Sequence, residues 1–335
     1  MAASSPILVG DVGGTNTRLT LVRGSAHSPL ILRESLLSSR DYSGLEEPVR
    51  EFLRDASTLP RLAVFAVAGP VTEGRAELTN LGWVVEEDAL RPALDLDSVR
   101  LVNDLVAKAY AIPHLGPDSL ATLQAGRPVS EGVRAVVAPG TGLGMAFLTW
   151  DGHAPRAHPS EGGHVEFAPV GPLQDELLGY MRSRYRHVSG ERVCSGRALP
   201  ELYAFLKNRG GVSESADVAA RMEAASDPTP IIVEAALHTP PRCPLARATV
   251  ELFAAILAAE AGNMALRVFA TGGVYLGGGL RRRILPILRD EAFLQTFRDK
   301  GRLSALLARI PLHVVIRPGT GLLGALHYAL SGAAR

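Results

Sequence analysis

Short apolar runs broken by glycine-rich turns set the pattern of this chain. Residues 7–22, Ile-Leu-Val-Gly-Asp-Val-Gly-Gly-Thr-Asn-Thr-Arg-Leu-Thr-Leu-Val, read as strand, turn and strand. Residues 135–148, Ala-Val-Val-Ala-Pro-Gly-Thr-Gly-Leu-Gly-Met-Ala-Phe-Leu, repeat the device. In both, apolar residues resume directly after the turn, so no helix opens there. Arg61–Ala68 reads as a buried strand closed by Gly69-Pro70, and Val99–Val102 as a strand that runs into Asn103-Asp104. Leu105, Ala109 and Ile112 then share one helical face before Pro113 ends the segment.

Beyond residue 114 the pattern partly restarts. A polar, glycine-rich stretch at 158–172 precedes helical segments near 173–185 and 195–208, and a short helix is expected within 209–230. A long helix over roughly 245–268 leads to the strand Val274–Leu276 and the triplet Gly277-Gly278-Gly279. The spacing of Leu280, Ile284 and Leu288 predicts a helix just past the triplet. Strand Leu312–Ile316, the turn Pro318-Gly319-Thr320-Gly321 and a terminal helix complete the chain. Strands alternating with helices indicate an α/β protein with mixed sheets. At 335 residues the chain exceeds one core. The expected division is a small α/β domain of residues 1–114 plus 313–335 and a large one of residues 115–312.

Composition narrows the function classes. Apolar residues make up 47% of the chain, enough for sizeable cores, and a formal net charge of +1 leaves no electrostatic footprint for nucleic acid or a membrane surface. Cys194 and Cys243 have no metal-ligand spacing and suit a reducing cytosol. The N-terminus lacks the basic and apolar regions of a leader, and Glu260 interrupts the Ala-rich stretch near 252–261, so no span of a bilayer is expected. A cytoplasmic protein is the expectation.

Three groups of residues carry candidate chemistry. Asp11 with Gly13-Gly14-Thr15-Asn16 reads either as a hairpin turn or as a cradle whose backbone N–H groups hold an anion. No Gly-Lys-Ser/Thr follows either glycine turn, which excludes a P-loop, and the absence of a helix after them disfavours a dinucleotide fingerprint. A carboxylate beside a phosphate cradle makes sense with magnesium between them, held through water. Asn103-Asp104 reads as a helix N-cap, as a general base at a strand end, or as both. Glu161-Gly162-Gly163-His164 and Glu191 are either exposed loop residues or acceptors for a polyhydroxylated ligand, and their spacing does not suit zinc. Arg281-Arg282-Arg283 reads either as a contact for a nucleotide phosphate or, by preference, as a solvated helix face, and the two cysteines as passive thiols.

Taken in order, these segments resemble the bacterial ATP-dependent glucokinases of the hexokinase–actin-like superfamily over nearly the whole chain. The resemblance rests on Gly10-Asp11-Val12-Gly13-Gly14-Thr15-Asn16, Leu78-Thr79-Asn80 with Trp83, Asn103-Asp104 and Pro139-Gly140-Thr141-Gly142-Leu143-Gly144. It continues through Glu161-Gly162-Gly163-His164-Val165, His187-Val188-Ser189-Gly190-Glu191-Arg192-Val193 and Gly272-Gly273-Val274. It implies a two-domain actin-like ATPase (ribonuclease H-like) fold with a cleft between the domains. It further implies phosphorylation of the 6-hydroxyl of D-glucose by ATP, a step of glycolysis.

Carried over residue by residue, the turns at Asp11, Gly13, Gly14, Thr15 and Asn16 and at Gly140, Thr141 and Gly142 hold the ATP phosphates. Asp11 lies near Mg2+, and Gly277, Gly278 and Gly279 face the adenosine. Asn103, Asp104, Glu161, His164 and Glu191 bind the sugar, with Asp104 as the base. A homodimer is the family's usual state. Two departures stand out. The triplet replaces the family's Ala-Gly-Gly, and Arg-Pro-Gly-Thr-Gly at 317–321 replaces Asn-Pro-Gly, so no role is carried over there.

Three other readings compete. A kinase for another hexose differs only in pocket shape. A sugar-sensing repressor needs a DNA-binding helix pair, which is not expected ahead of a first strand at Ile7. An actin-like filament protein has no use for the sugar cluster.

Overall fold

The computed structural model describes residues 5–25 and 28–331. Met1–Ser4, on which the expectation of a missing leader rests, and Gly332–Arg335 at the end of the expected small domain lie outside them. The chain divides into two compact units, one of Met1–Leu115, Asp151–Pro159 and Arg317–Arg335, the other of Gly116–Trp150 and Ser160–Ile316.

In the first unit, β1 (Ile7–Val12) turns back into β2 (Asn16–Ser25), which pairs with β3 (Ser28–Ser38). β4 (Leu62–Val67) lies parallel to β1, and a small antiparallel sheet of β5 (Val71–Thr72), β6 (Arg75–Leu78) and β7 (Trp83–Glu86) follows it. With β8 (Ser98–Asn103) parallel to β4, the main sheet runs β3-β2-β1-β4-β8. Period-two alternation splits its side chains between two cores. Leu8, Val12, Ala63, Phe65, Val67, Val99 and Leu101 face one core, and Val9, Val64, Ala66 and Val102 the other. β4 sits between two parallel partners and is covered on both faces, hence its unbroken Leu-Ala-Val-Phe-Ala-Val run. Burying a side chain such as Phe65 contributes about 1.5–3 kcal/mol.

The second of these cores is roofed by the helices Asp104–Ala111 and Thr320–Leu330. They approach so closely that a Cβ at Gly324 would overlap the carbonyl oxygen of Ala107. The imidazoles of His114 and His327 stack with centroids 3.3 Å apart and fasten the same pair further along.

The second unit contains β9 (Leu120–Gln124), β10 (Arg134–Pro139) and β11 (Leu143–Trp150). β12 (Pro155–Ser160) brings the chain back from the first unit. β13 (Gly273–Leu276) is parallel to β10, and β14 (Leu312–Val315) is parallel to β13 and antiparallel to β9, giving the order β11-β10-β13-β14-β9. Because β14 is bonded inside this sheet, residues 313–316 belong here and not with the small domain of the sequence reading, and the return to the first unit begins at Arg317. Residues 151–159 move the other way, into the first unit.

The long helix is Pro244–Arg267 and forms the centre of the second core. Contrary to expectation, it is long and apolar enough to cross a membrane, Glu260 notwithstanding, yet 78% of its most apolar stretch is buried inside protein. Glu260 itself is buried, and burial pushes its carboxyl up against the opposing pull of Arg267 and Lys300. No helix opens directly after the glycine triplet. Arg283 and Ile284 donate their N–H groups to the Leu280 carbonyl in a turn, and only the four residues Leu285–Leu288 are helical. Several helices escaped the pattern, Glu46–Leu53 and Glu87–Ala93 in the first unit and Gly190–Val193, Thr229–Leu237, Glu291–Arg298 and Ser304–Leu307 in the second, of which Gly190–Val193 is a single turn too short to show a period.

The approach at Gly324 yields a prediction. Replacing it by Val should force the two helices apart and cost at least about 1–3 kcal/mol of overpacking strain, read as a lower denaturation midpoint in urea. Glycine to Val at Gly116, which has open space at its Cβ position and an ordinary negative φ, serves as a control.

Candidate active site

The C-terminal ends of β1, β4 and β8 lie side by side, since Val12 pairs with Val67 and Val67 with Asn103. Open α/β sheets bind ligands at this edge. Asn103 caps the helix that follows: its Oδ1 accepts from the N–H groups of Leu105 at 2.9 Å and Val106 at 3.2 Å. Its Nδ2 donates to the Gly69 carbonyl at 2.9 Å, so one amide hydrogen is left for a ligand. The cap expected of Asp104 therefore belongs to its neighbour. The Asp104 carboxylate instead accepts from Lys108 Nζ through Oδ2 at 2.5 Å. Sequence reasoning missed this contact of Lys108, although the i, i+4 spacing on a predicted helix was there to be seen.

Two strands over, Asp11 lies next to the last residue of β1. Burial pushes its carboxyl up, Lys108 and Arg18 pull it down, and the nearby Asp104 charge raises it further. The first turn of the helix Thr320–Leu330 lies against it, where a Cβ at Gly321 would stand 2.5 Å from Asp11 Oδ2. Gly319 takes the left-handed φ of 70° that opens this helix. The second Pro-Gly-Thr-Gly thus starts a helix, as its sequence implied, and packs on the candidate site.

The turn at 13–15 is pinned from beneath. Gly13 N–H donates to the Asn16 carbonyl at 3.0 Å, and Ser39 donates from its backbone to the Thr15 carbonyl and from Oγ to the Gly13 carbonyl. Asn80 lies against Gly14. Thr15 and Asn16 remain exposed. Neither Gly13 and Gly14 here nor Gly140 and Gly142 in the second turn has a positive φ, so it is not a left-handed conformation that calls for glycine in these turns.

In the second unit the turn between β10 and β11 is closed by Gly140 N–H donating to the Gly142 carbonyl at 2.8 Å, with Thr141 exposed at its tip. Glu191 comes up behind it. Its Oε2 accepts from the Leu143 N–H at 2.9 Å and occupies the space a Cβ at Gly142 would need. A glycine turn and a carboxylate separated by about fifty positions are thereby one structure. The segment carrying Glu161 and His164 joins them, because Gly163 packs on the Leu143 carbonyl and Gly190 N–H donates to the Val165 carbonyl at 2.9 Å. His187, which sequence reasoning gave no separate role, bonds the His164 carbonyl oxygen through Nε2 at 2.9 Å. Glu161 and His164 are exposed, with Oε2 and Nε2 3.9 Å apart. The zipped loops bring the segments that carry Glu161, His164 and Glu191 side by side.

The triplet follows β13, whose end adjoins that of β10. Gly277 N–H donates to the Val137 carbonyl at 2.8 Å, and Gly278, with φ of 82°, presses on the Pro139 carbonyl. Gly279 is exposed, with nothing within 4 Å of its Cβ position. Arg281 is no part of a solvated helix face. Its guanidinium is half-buried and bonds the carbonyls of Gly278 and Val315, and burial pushes its pKa down. Arg282 and Arg283 are exposed as expected. Cys194 and Cys243 are buried free thiols, and burial pushes that of Cys194 up.

Comparison with known proteins fits this arrangement. The Glucokinase family profile matches residues 8–331. A glucokinase of Nostoc punctiforme is 38% identical over 334 residues, covering 95% of this chain and 97% of its own. The crystal structure of a glucokinase from an Antarctic psychrotroph superposes with a TM-score of 0.83 at 31% identity, covering 97% of this chain and 98% of that one. A ROK family glucokinase from Streptomyces griseus, solved in complex with glucose and AMPPNP, shares the fold with a TM-score of 0.66 at 20% identity, over 98% of this chain and 100% of that one. The fold is that of the actin-like ATPases, as the sequence implied. A profile match across almost every described residue, together with relatives well above 30% identity over nearly full length, establishes that this chain belongs to the glucokinase family.

Proposed function

We propose that this chain transfers the γ-phosphoryl group of ATP to the 6-hydroxyl of D-glucose, with Asp104 as general base. The observation that carries the reading is the division of labour at the end of β8. Asn103 supplies the cap, so the helix start does not use the Asp104 carboxylate, whose Oδ2 accepts from Lys108 and whose Oδ1 is left to accept. In this reading the sugar hydroxyl gives its proton to Asp104 as its oxygen attacks the γ-phosphorus in line, and ADP leaves. A positioned base of this kind supplies about 10²–10⁴ in rate.

Glu161, His164 and Glu191, with the remaining amide hydrogen of Asn103, orient the sugar hydroxyls. The backbone N–H groups of Gly13 to Asn16 and of Gly140 to Gly142 oppose the phosphate charge, which is where most help is needed in phosphoryl transfer. Glu191, already bonded to Leu143 N–H, ties the sugar's position to that of the second phosphate turn. Gly279, open in the structure, gives the adenosine a side-chain-free wall.

Magnesium suits the residues present. Asp11 is a partly buried carboxylate raised by desolvation, a cost that a cation relieves. Among the described residues no three carboxylate, histidine or cysteine side chains gather into a metal cage. That donor set is the one Mg2+ takes when it keeps its waters and leans on substrate phosphates, and Asp11 is the residue to hold it. Once bound, the ion neutralises charge on the transferring phosphoryl. A cytosolic homodimer belongs to the same reading and rests on family resemblance.

A coupled assay for ADP release across a panel of hexoses tests the reaction. Glucose should give the highest kcat/KM, and a preference for another hexose, or ADP release indifferent to sugar, overturns it. Asp104→Asn should lower kcat by about 10²–10⁴ with ATP affinity and the melting curve little changed; wild-type kcat in that variant removes Asp104 from the chemistry.

Asp11→Asn should separate stability from activity. The Asp11 carboxyl is raised in the folded state, so ionising it opposes folding at neutral pH, and that cost fades as pH falls from the folded toward the ordinary carboxylate range. The variant should therefore melt higher than wild type at pH 7, lose that advantage near pH 4, and turn over more slowly at every pH. Equal melting temperatures at pH 7 contradict the assignment.

A further inference from the structure

The Lys108 ammonium is the one cation bonded to the proposed base among the described residues, and the reaction as proposed gives it nothing to do. It stands one helical turn after Asp104, and helical side chains lean toward the N-terminus, so the contact forms without distortion. Both side chains are largely withdrawn from water, at 28% and 19% exposure, which shields the pair from screening by salt. As a purely structural i, i+4 pair it adds little to stability.

Its surroundings argue for more. Asp11 and Asp104 sit on the same sheet edge and the Asp104 charge disfavours that of Asp11, while Lys108 is the strongest opposite charge acting on Asp11. A polyphosphate arriving at two carboxylates meets repulsion that the Lys108 ammonium, acting on both, offsets. The bond also distinguishes the two oxygens of the base. Oδ2 is held by Lys108, which leaves Oδ1 to accept.

We infer that Lys108 is a positioning residue for phosphoryl transfer, fixing Asp104 through Oδ2 so that Oδ1 meets the proton of the sugar hydroxyl. The inference deepens the glucose-kinase reading and rests on it. In the step, the hydroxyl O–H bond breaks and its proton passes to Oδ1. The freed electron pair bonds the γ-phosphorus, and the bond from that phosphorus to the bridging oxygen of ADP breaks. A carboxylate tethered by one oxygen does not turn away between encounters, so the acceptor is in place when the substrates arrive.

The test compares Lys108→Met and Lys108→Arg with wild type in the full chain, by steady-state kinetics and thermal melting. Lys108→Met should lose about ten-fold or more in kcat, as expected for a bond between charged groups, with KM for glucose within about two-fold because the bond serves the transition state. Its melting temperature should move by only about 1–2 °C, and Lys108→Arg should recover most of the kcat. Wild-type kcat in Lys108→Met, a defect confined to KM, or a loss that arginine does not recover overturns the inference. Failure of the underlying reading looks different: the wild-type chain itself then shows no glucose-dependent ADP release, and the inference falls with it. An active wild type, an inactive Asp104→Asn and an unaffected Lys108→Met reject the Lys108 role alone.

Discussion

The first unit depends on how closely the helix Thr320–Leu330 approaches what lies beneath it. Gly321 and Gly324, three positions apart, share one face. At the first, the missing Cβ admits the Asp11 carboxylate, and at the second it admits the carbonyl of Ala107 in the helix that Asp104 begins. One helix face thereby sets both carboxylates of the candidate site. Side chains at either position would wedge the helix outward, because a packed interior has no slack to absorb a methyl group. The Arg-Pro-Gly-Thr-Gly segment, to which no role could be transferred by resemblance, acquires its reason from this contact.

The second unit is organised by the same device. Gly142 makes way for Glu191, Gly163 for the Leu143 carbonyl and Gly278 for the Pro139 carbonyl. Backbone thus meets backbone or carboxylate at three points around one turn. The gain is rigidity where a ligand is to be held, since main-chain groups locked by Gly140, Leu143 and Gly190 hydrogen bonds reorganise little on binding. The buried helix Pro244–Arg267 supplies the stability that such exposed, polar loops do not generate themselves. Arg281, drawn in to the carbonyls of Gly278 and Val315, shows how a charge run can be split by its setting: one guanidinium serves a turn while its two neighbours face solvent.

Much of this was legible in the chain. The two hairpins, the buried strand β4, the strand leading into Asn103-Asp104 and the long helix all follow from period and glycine placement, because each is decided by neighbours in sequence. The terminal helix after Pro318-Gly319 was read for the same reason. Errors fell where distant partners decide. β14 was assigned to the wrong unit because strand pairing is a long-range choice between sheets that a four-residue apolar run does not encode. The helix predicted past the triplet yielded to a turn whose Arg281 side chain is claimed by carbonyls on either side. The apolar helix 244–267 looks interrupted at Glu260 in sequence, yet packing buries that carboxyl along with its neighbours.

What the sequence determined by itself is the set of local conformations and the inventory of chemistry: two glycine turns, an Asn-Asp pair at a strand end, and a Glu/His cluster. Short-range sterics and hydrogen bonding fix the first, and side-chain type fixes the second. Tertiary structure decided how that inventory is used. It gave the cap to Asn103 and so released Asp104, set Lys108 on one oxygen of that carboxylate, and pressed Glu191 into the space left by Gly142. Those assignments depend on which groups arrive within about 3 Å of one another, and across fifty or two hundred positions of chain only the packing of the cores settles that.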